Sequence, residues 1–532
     1  MTTDRPHLPI DPLSDPVGGQ KRVTANAAIG TLAQFSTIAA GLVTMPLLLT
    51  SLGATMFGAY ALVASMTAYF GILDLGIGAS LTRFMAFYEQ RGDRQKVGAF
   101  ATFGLLFYLA MTLALLPAVW FAAPAIGRLL GLPPEVQADF PFWLVIMALL
   151  FIGWSLNGIL VSRLAAVHRL DLSGYALIAG AAVFTVTVFV FVPQVRTIES
   201  VLACVAANLF TAILILAVAN VRINGWLFAS IGAIRGADIR ELFSFSIWSQ
   251  ISTITSVINL EADKAIISRG IGVAQVTPYH MANRLALLSR MVPLQLLTAL
   301  LPAITAKFSH GATPAEMRDS YVHASRTLMI PTLLIVGFVA GGADALLRFW
   351  LARELPDAAF MCVALVLSYA VNNATGPGTV ILKAEGFPQL ETFYGTVSAI
   401  LNVGLTILLI GPLGLLGVVI ATIIANVLGS ALFIVLFHRR KAMPWWSTIG
   451  HWLSRLAAIT LGAAFLLHIG LGQVAGDTTD RWQLLPILTV AGIAYVALFL
   501  ALGKMLRIWI PSDRQLLVEL GAMLRLGRKR AV

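Results

Sequence analysis

Residues 23–73 read VTANAAIGTLAQFSTIAAGLVTMPLLLTSLGATMFGAYALVASMTAYFGIL, and no charged side chain occurs between Val23 and Leu73. A helix crossing the hydrocarbon core of a bilayer takes about 20 residues. The stretch is therefore too long for one crossing and suits two, divided at Ser51-Leu52-Gly53-Ala54. Its apolar residues do not alternate with polar ones, so they predict helices and not the strands of a membrane barrel. Working outward, uncharged runs recur at 97–127, 140–162, 172–195 and 200–221. A polar segment with Arg222, Arg235, Asp238, Arg240 and Glu241 follows. Apolar character returns at 242–260, 275–306 (interrupted by Arg284 and Arg290), 327–343, 358–382, 392–437 (divided at Gly411-Pro412-Leu413-Gly414), 456–476 and 482–503. The pattern predicts an all-α polytopic membrane protein of about fourteen transmembrane helices.

Composition agrees: the 532 residues are 58% hydrophobic and 11% charged, with mean hydropathy +0.86. Soluble domains carry about a quarter charged residues, which excludes a soluble enzyme, a disordered chain and a nucleic-acid binder. The net charge of +11 is a topological signal, because Lys and Arg accumulate in cytoplasmic loops. Lys21 and Arg22, Arg83 to Lys96, Arg163 and Arg169, Arg222 to Arg240, Lys307 to Arg326, Lys383, Arg439 to Lys441 and the tail from Lys504 all fall on one side of the expected helices. Both termini are predicted to be cytoplasmic. The expected organisation is a disordered tail (1–22), a six-helix bundle (23–221), a cytoplasmic linker (222–241), a second six-helix bundle (242–437), helices 13 and 14 (438–503) and a basic amphipathic tail (504–532).

Other local signals are modest. Thr313-Pro314-Ala315-Glu316 predicts a capped short helix before helix 9. Cys204 and Cys362 lie inside apolar runs and read as buried thiols. No zinc spacing and no phosphate-cradling glycine loop is present, so neither a metal site nor a resident cofactor is expected. Leu516, Leu517, Leu520, Met523 and Leu524 share a helical face opposite Arg514, Glu519 and Arg525, as in a helix lying on anionic membrane lipids.

A short repeat suggests duplication. LGATMFGAYALV places Gly53 and Tyr60 near the start of helix 2, and IGVAQVTPYHMA places Gly272 and Tyr279 near the start of helix 8. Two six-helix halves around a working cavity follow as the favoured architecture. Ionisable groups inside spans cost roughly 2.5–3.5 kcal/mol each on insertion scales and turn toward a bundle interior or a wet cavity. They are Asp74 on helix 2, Glu261, Asp263 and Lys264 on helix 7, and Arg284 and Arg290 on helix 8. In one reading Arg284, Arg290 and Lys264 hold an anionic headgroup, because a guanidinium matches phosphate oxygens bidentately. In the other, Glu261 pairs with Arg284 and Asp263 with Lys264, and the charges only set helix register. Asp74 is either a coupling carboxylate or a partner for a cation such as Arg83, although the two fall on opposite helix faces. His280 is a plain interfacial residue or a titrating group. Asn372-Asn373-Ala374-Thr375-Gly376-Pro377-Gly378 predicts a helix break that lines a cavity and gates it, or packs as a kink.

The runs LGATMFGAYALVASMTAYFGILDLGIGASLTRFMA (52–86) and ADKAIISRGIGVAQVTPYHMANRL (262–285) resemble polysaccharide-export flippases of the Wzx type, in the multidrug/oligosaccharidyl-lipid/polysaccharide (MOP) superfamily. That resemblance implies two bundles around a V-shaped cavity and alternating access. It implies an undecaprenyl-diphosphate-linked oligosaccharide as substrate, moved from the cytoplasmic to the periplasmic leaflet of the bacterial inner membrane for O-antigen, capsule or exopolysaccharide. It makes Arg284 and Arg290 candidate diphosphate contacts and Asp74, Glu261 and Asp263 possible coupling groups; the cavity reading of the residues themselves adds Lys264 to the contacts, and the helix break adds Asn372 and Asn373 as gating residues. H+, Na+ or the membrane potential would supply energy, with a polymerase and a chain-length regulator as protein partners and no nucleic acid. Related lipid II flippases carry arginines in the first helix, whereas helix 1 here has none. A lipid II flippase, a cation-coupled multidrug exporter, and a membrane polymerase or glycosyltransferase are the alternatives.

Overall fold

A computed structural model describes residues 16–226, 228–309, 313–355, 357–385, 387 and 389–509, and these contain helices and no strand. The first helix, α1 (Pro16–Ile72), is broken where the opening stretch divides: Gly53 has φ 74° and ψ 170°. This is backbone geometry that only glycine adopts without strain. α1 starts inside the segment expected as a tail, since Pro16 fits the first helical position; residues 1–15 lie outside those described.

The expected second helix is also divided. Leu75 (φ 50°) and Gly76 (φ 73°) separate α1 from α2 (Ile77–Gln90). Asp74 causes the restart: its carboxylate accepts the Gly78 N–H at 3.2 and 3.3 Å, a first-turn donor of α2 that the helix itself leaves unpaired. The Gln250 amide donates to the freed Ile72 carbonyl.

The chain continues as α3 (Arg94–Leu129), α4 (Pro134–Ala166), α5 (Leu170–Val195), α6 (Ile198–Asn224), α7 (Gly236–Ile271), α8 (Val276–Ser309), α9 (Pro314–Leu351), α10 (Ala358–Asn373), α11 (Gly376–Ala384), α12 (Gln389–Leu413), α13 (Leu415–Arg440), α14 (His451–Ala475) and α15 (Arg481–Met505). Within the expected linker, α6 ends at Asn224 and α7 begins at Gly236, with a 3-10 turn at Ile231–Ala233 between them.

Among the described residues, 11 helical stretches are long and apolar enough to cross a membrane. The expected fourteen is not reproduced as a count, and the difference has identifiable sources. Ile29–Ile72 counts once although it bends at Gly53, and α7 and α8 fall outside the set. α7 interleaves Ser, Thr, Gln and Asn with its apolar residues and carries Glu261, Asp263 and Lys264, while α8 carries Arg284 and Arg290. Helices of that composition need polar partners inside the protein. The Thr313 motif forms the full capping box, with Glu316 N–H donating to Thr313 Oγ1 at 3.3 Å and Thr313 N–H to Glu316 Oε2 at 2.8 Å. It opens α9 itself, a single 38-residue helix, and not the separate short helix expected. No glycine or proline between Glu316 and Ile330 interrupts it.

The chain forms two compact units. The first takes residues up to Ser51, then Phe70–Phe121 and Phe142–Gln250; the second takes Leu52–Tyr69, Ala122–Pro141 and everything from Ile251. In the first unit Phe84, Tyr88 and Phe100 stack. Buried Arg163 meets Glu89 at 2.9 Å, and Trp143 donates to Glu199 at 2.5 Å. In the second, α9 is the spine. Its buried Arg348 donates to the Gly476 and Thr478 carbonyls at 2.6 and 3.1 Å and to Asp344 at 2.6 Å, tying the α14–α15 connection to α9.

Small residues let these helices approach, as bilayer packing requires. A Cβ on Gly341 would lie 2.5 Å from the Ala464 carbonyl oxygen. Gly341→Val is expected to destabilise the protein by about 1–3 kcal/mol, the usual cost of overpacking. A lowered unfolding temperature in detergent measures it, and Gly462→Val, with open space around its Cβ, is the control. Cys204 and Cys362 are both buried and free. The amphipathic segment after Pro511 lies outside the described residues.

Candidate functional site

α7 breaks from α8 at Gly272, whose φ 100° and ψ 151° resemble the φ 74° and ψ 170° of Gly53. The repeat noticed in the sequence is thus a repeat of backbone geometry. Both copies lie in the second unit, where they touch. Thr277 Oγ1 donates to the Ala54 carbonyl at 2.7 Å, and the Phe57 and His280 rings are 5.9 Å apart. Gly58 faces the Val273 carbonyl so closely that a Cβ would sit 2.1 Å from its oxygen.

Near this junction Asp263 and Lys264 of α7 are buried and Glu261 is half-buried. Asp263, 2% exposed, accepts hydrogen bonds from Tyr279 Oη at 2.5 Å and Asn402 Nδ2 at 3.0 Å, and Thr422 Oγ1 lies at 3.2 Å. Four helices thereby converge on one carboxylate: α7, α8, α12 and α13. Lys264 does not pair with Asp263 as the register reading expected. Its Nζ lies 2.5 Å from Glu261 Oε2, one helical turn back, because successive residues on a helix point about 100° apart. Lys264 is therefore spent on an ion pair. Asn402 Oδ1 and, one turn further along α12, Thr406 Oγ1 are buried with no hydrogen-bond partner among the described residues. Oxygens in that condition carry a desolvation cost unless something with positive charge or a proton meets them.

The two arginines of α8 are half-buried. Arg284 lies in the electrostatic reach of Tyr60 and Glu261, yet it forms no salt bridge among the described residues, so the expected Glu261–Arg284 pair is absent. The Arg290 guanidinium stands 5.8 Å from the Tyr369 ring centroid, and Tyr369 Oη donates to Asn283 Oδ1 at 2.6 Å. His280 packs against Phe57 beside this group.

The Asn372–Gly378 motif does break its helix: α10 stops at Asn373 and α11 starts at Gly376. Asn373 is 2% exposed and donates to the Ser289 carbonyl and to Thr332 Oγ1, each at 3.2 Å, bolting α10 to α8 and α9. Asn372 is partly exposed and reaches Ser430 Oγ at 3.4 Å. The buried amide holds the break and its neighbour lies at its open edge.

Asp74 belongs to the first unit. Besides capping α2 it accepts a hydrogen bond from Tyr108 Oη. Arg83 is not its partner; that guanidinium approaches Glu241 at 4.0 Å. Tyr279, Asn402, Thr406 and Thr422 were not picked out as site residues from sequence. Asn402 had a usable signal, being one of two amides, with Asn426, inside the uncharged run from Thr392 to Phe437.

Arginines without a salt bridge among the described residues and a buried carboxylate, set in apolar helices, define a class: a multi-pass membrane protein with fixed charges in its helical interior. The family follows from comparison with known proteins. Residues 23–308 match the polysaccharide biosynthesis protein family, so the chain belongs to that family. A relative, the uncharacterized membrane protein EpsK of Bacillus subtilis (strain 168), is 22% identical over 404 residues, 74% of this chain and 79% of EpsK. The fold is that of MOP superfamily transporters. The lipid II flippase MurJ in an inward closed conformation superposes with TM-score 0.65 at 16% identity, over 89% of this chain and 98% of MurJ. An inward-facing multidrug resistance MATE family transporter gives TM-score 0.62 at 14% identity, over 79% and 94%. These neighbours are transporters and flippases, not enzymes.

Proposed function

We propose that this protein is a flippase moving undecaprenyl-diphosphate-linked oligosaccharide repeat units from the cytoplasmic to the periplasmic leaflet by alternating access, for O-antigen, capsule or exopolysaccharide assembly. It resides in the bacterial inner membrane with both termini cytoplasmic, and a polymerase and chain-length regulator receive its product. The observation that carries the reading, beside family membership, is the pair of α8 guanidiniums, Arg284 and Arg290, that form no salt bridge among the described residues. Each is a fixed positive charge at membrane depth that a diphosphate can neutralise. The coupling group is Asp263, with Asn402 Oδ1 and Thr406 Oγ1 supplying further oxygens for H+ or Na+. Glu261 and Lys264 hold each other and position the cluster; Asn372 and Asn373 set the α10 break, and Asp74 sets the one before α2.

The membrane potential is a further driving force. Carrying a negative charge outward across an inside-negative membrane gains about 2.3 kcal/mol per 100 mV. In proteoliposomes, a lipid-linked oligosaccharide is expected to become accessible to an added glycosidase, faster at an imposed potential. Arg284→Ala and Arg290→Ala are each expected to lower that rate at least tenfold at matched protein. Full rates in both variants would remove the arginines from the substrate path, and drug efflux without lipid movement would favour the multidrug exporter.

A further inference from the structure

We propose a binding site for an anionic glycerophospholipid at the open end of the α5–α6 hairpin of the first unit. There the first unit has a cavity of about 390 Å³ with a two-part lining. Its wall is hydrocarbon, from Leu172 on α5 and Leu214 and Val218 on α6, and its rim carries two guanidiniums, Arg169 and Arg222. An apolar trough with paired cations at one end matches an acyl chain joined to a phosphate.

The local structure explains why both arginines stand there. α5 and α6 are antiparallel, joined at Arg196 and Thr197, so their distant ends, at Leu170 and Asn224, share one side. The helices approach closely, since a Cβ on Gly180 would lie 2.3 Å from Asn208 Oδ1. Arg169 is placed by a fixed loop. Asn26 on α1 donates to the His168 carbonyl at 3.1 Å and accepts the Asp171 N–H at 3.0 Å. Asp171 then takes Arg169 Nε at 3.0 Å and Nη2 at 3.2 Å, aligning the guanidinium by one edge and leaving Nη1 outside that fork. Arg222 is exposed and makes no hydrogen bond or ion pair among the described residues. Arg169, Asp171 and Arg222 leave one net positive charge at the rim. Leu214 and Val218 are 52% and 43% exposed, so the trough is open to lipid without rearrangement.

The site serves membrane anchorage of the first unit, and its occupant comes from the surrounding bilayer and not from the transported substrate. It does not depend on the transport reading, because binding is measured on detergent-purified protein without flipping. Phosphatidylglycerol, phosphatidylcholine and glycerol 3-phosphate are titrated against the full chain, with thermal unfolding and native mass spectrometry as readouts. Phosphatidylglycerol is expected to stay bound and raise the unfolding temperature. Phosphatidylcholine tests the charge and glycerol 3-phosphate the chain, and both are expected to bind at least about tenfold more weakly. Arg169→Gln with Arg222→Gln is expected to weaken phosphatidylglycerol by a similar factor, and Arg439→Gln with Arg440→Gln to leave it unchanged. Arg222→Gln alone, at an exposed position, carries the test if the double variant fails to accumulate. Val218→Trp, which fills the trough and keeps both charges, is expected to reduce retention as well. Equal binding of the two phospholipids, or wild-type affinity in the arginine variants, would overturn the site.

Discussion

Asp263→Asn is expected to accumulate in the membrane and unfold within a few degrees of wild type, yet to move lipid-linked oligosaccharide at least tenfold more slowly. The isosteric amide keeps an oxygen for Tyr279 and Thr422, so the packing of α7, α8, α12 and α13 survives. What it loses is the negative charge, and with it the capacity to hold a proton or cation beside Asn402 Oδ1 and Thr406 Oγ1. Asp263→Ala separates this role from a structural one. Removing the carboxylate strands buried donors at about 1–3 kcal/mol each, so the alanine variant is expected to fall in both stability and transport. Comparing transport with and without a proton or sodium gradient completes the measurement. Wild-type rates in Asp263→Asn, with unchanged ion dependence, would make the carboxylate a packing anchor only.

The second large effect is expected at Gly58. Gly58→Val places a Cβ 2.1 Å from the Val273 carbonyl oxygen, with the carbonyl carbon at 3.1 Å and Thr277 Oγ1 at 3.3 Å. Two of these atoms are backbone and cannot rotate away. The junction between the segments beginning at Gly53 and Gly272 must therefore open, breaking the Thr277–Ala54 hydrogen bond and the Phe57–His280 contact. Folded protein is expected to drop several-fold in membranes, assayed by fluorescence-detected size exclusion. Gly404→Val, a change of the same kind on α12 with nothing near its Cβ, is expected to match wild type. Normal yield of Gly58→Val would mean that this junction contributes little to the fold.

The sequence made the helices legible because a bilayer imposes a long, one-dimensional constraint: every crossing must be apolar over about 20 residues. It made Gly53, Gly272 and the Asn372–Gly378 break legible as interruptions for the same reason. Pairing was harder. That Lys264 turns back to Glu261, and that Asp263 gathers Tyr279, Asn402 and Thr422, depends on which helices are neighbours. Residues 139 and 159 positions beyond Asp263 complete its surroundings, and no local spacing announces them. The restart at Asp74 is hidden for a different reason. Helical periodicity assumed a continuous turn through Leu75 and Gly76, whereas the carboxylate competes for the N–H of Gly78 and starts a new helix.

The bend at Gly53 also bears on how the chain enters the membrane. Ile29–Ile72 is 44 residues of apolar helix. Straight, at about 1.5 Å per residue, it would reach roughly 66 Å, about twice the hydrocarbon thickness. A nascent chain emerging from the insertion machinery has no charge in this stretch to tell it where to turn. The division of this run thus rests on one residue's backbone, while the charges that set its orientation, Lys21 and Arg22 before it and Arg83 to Lys96 after it, lie outside it.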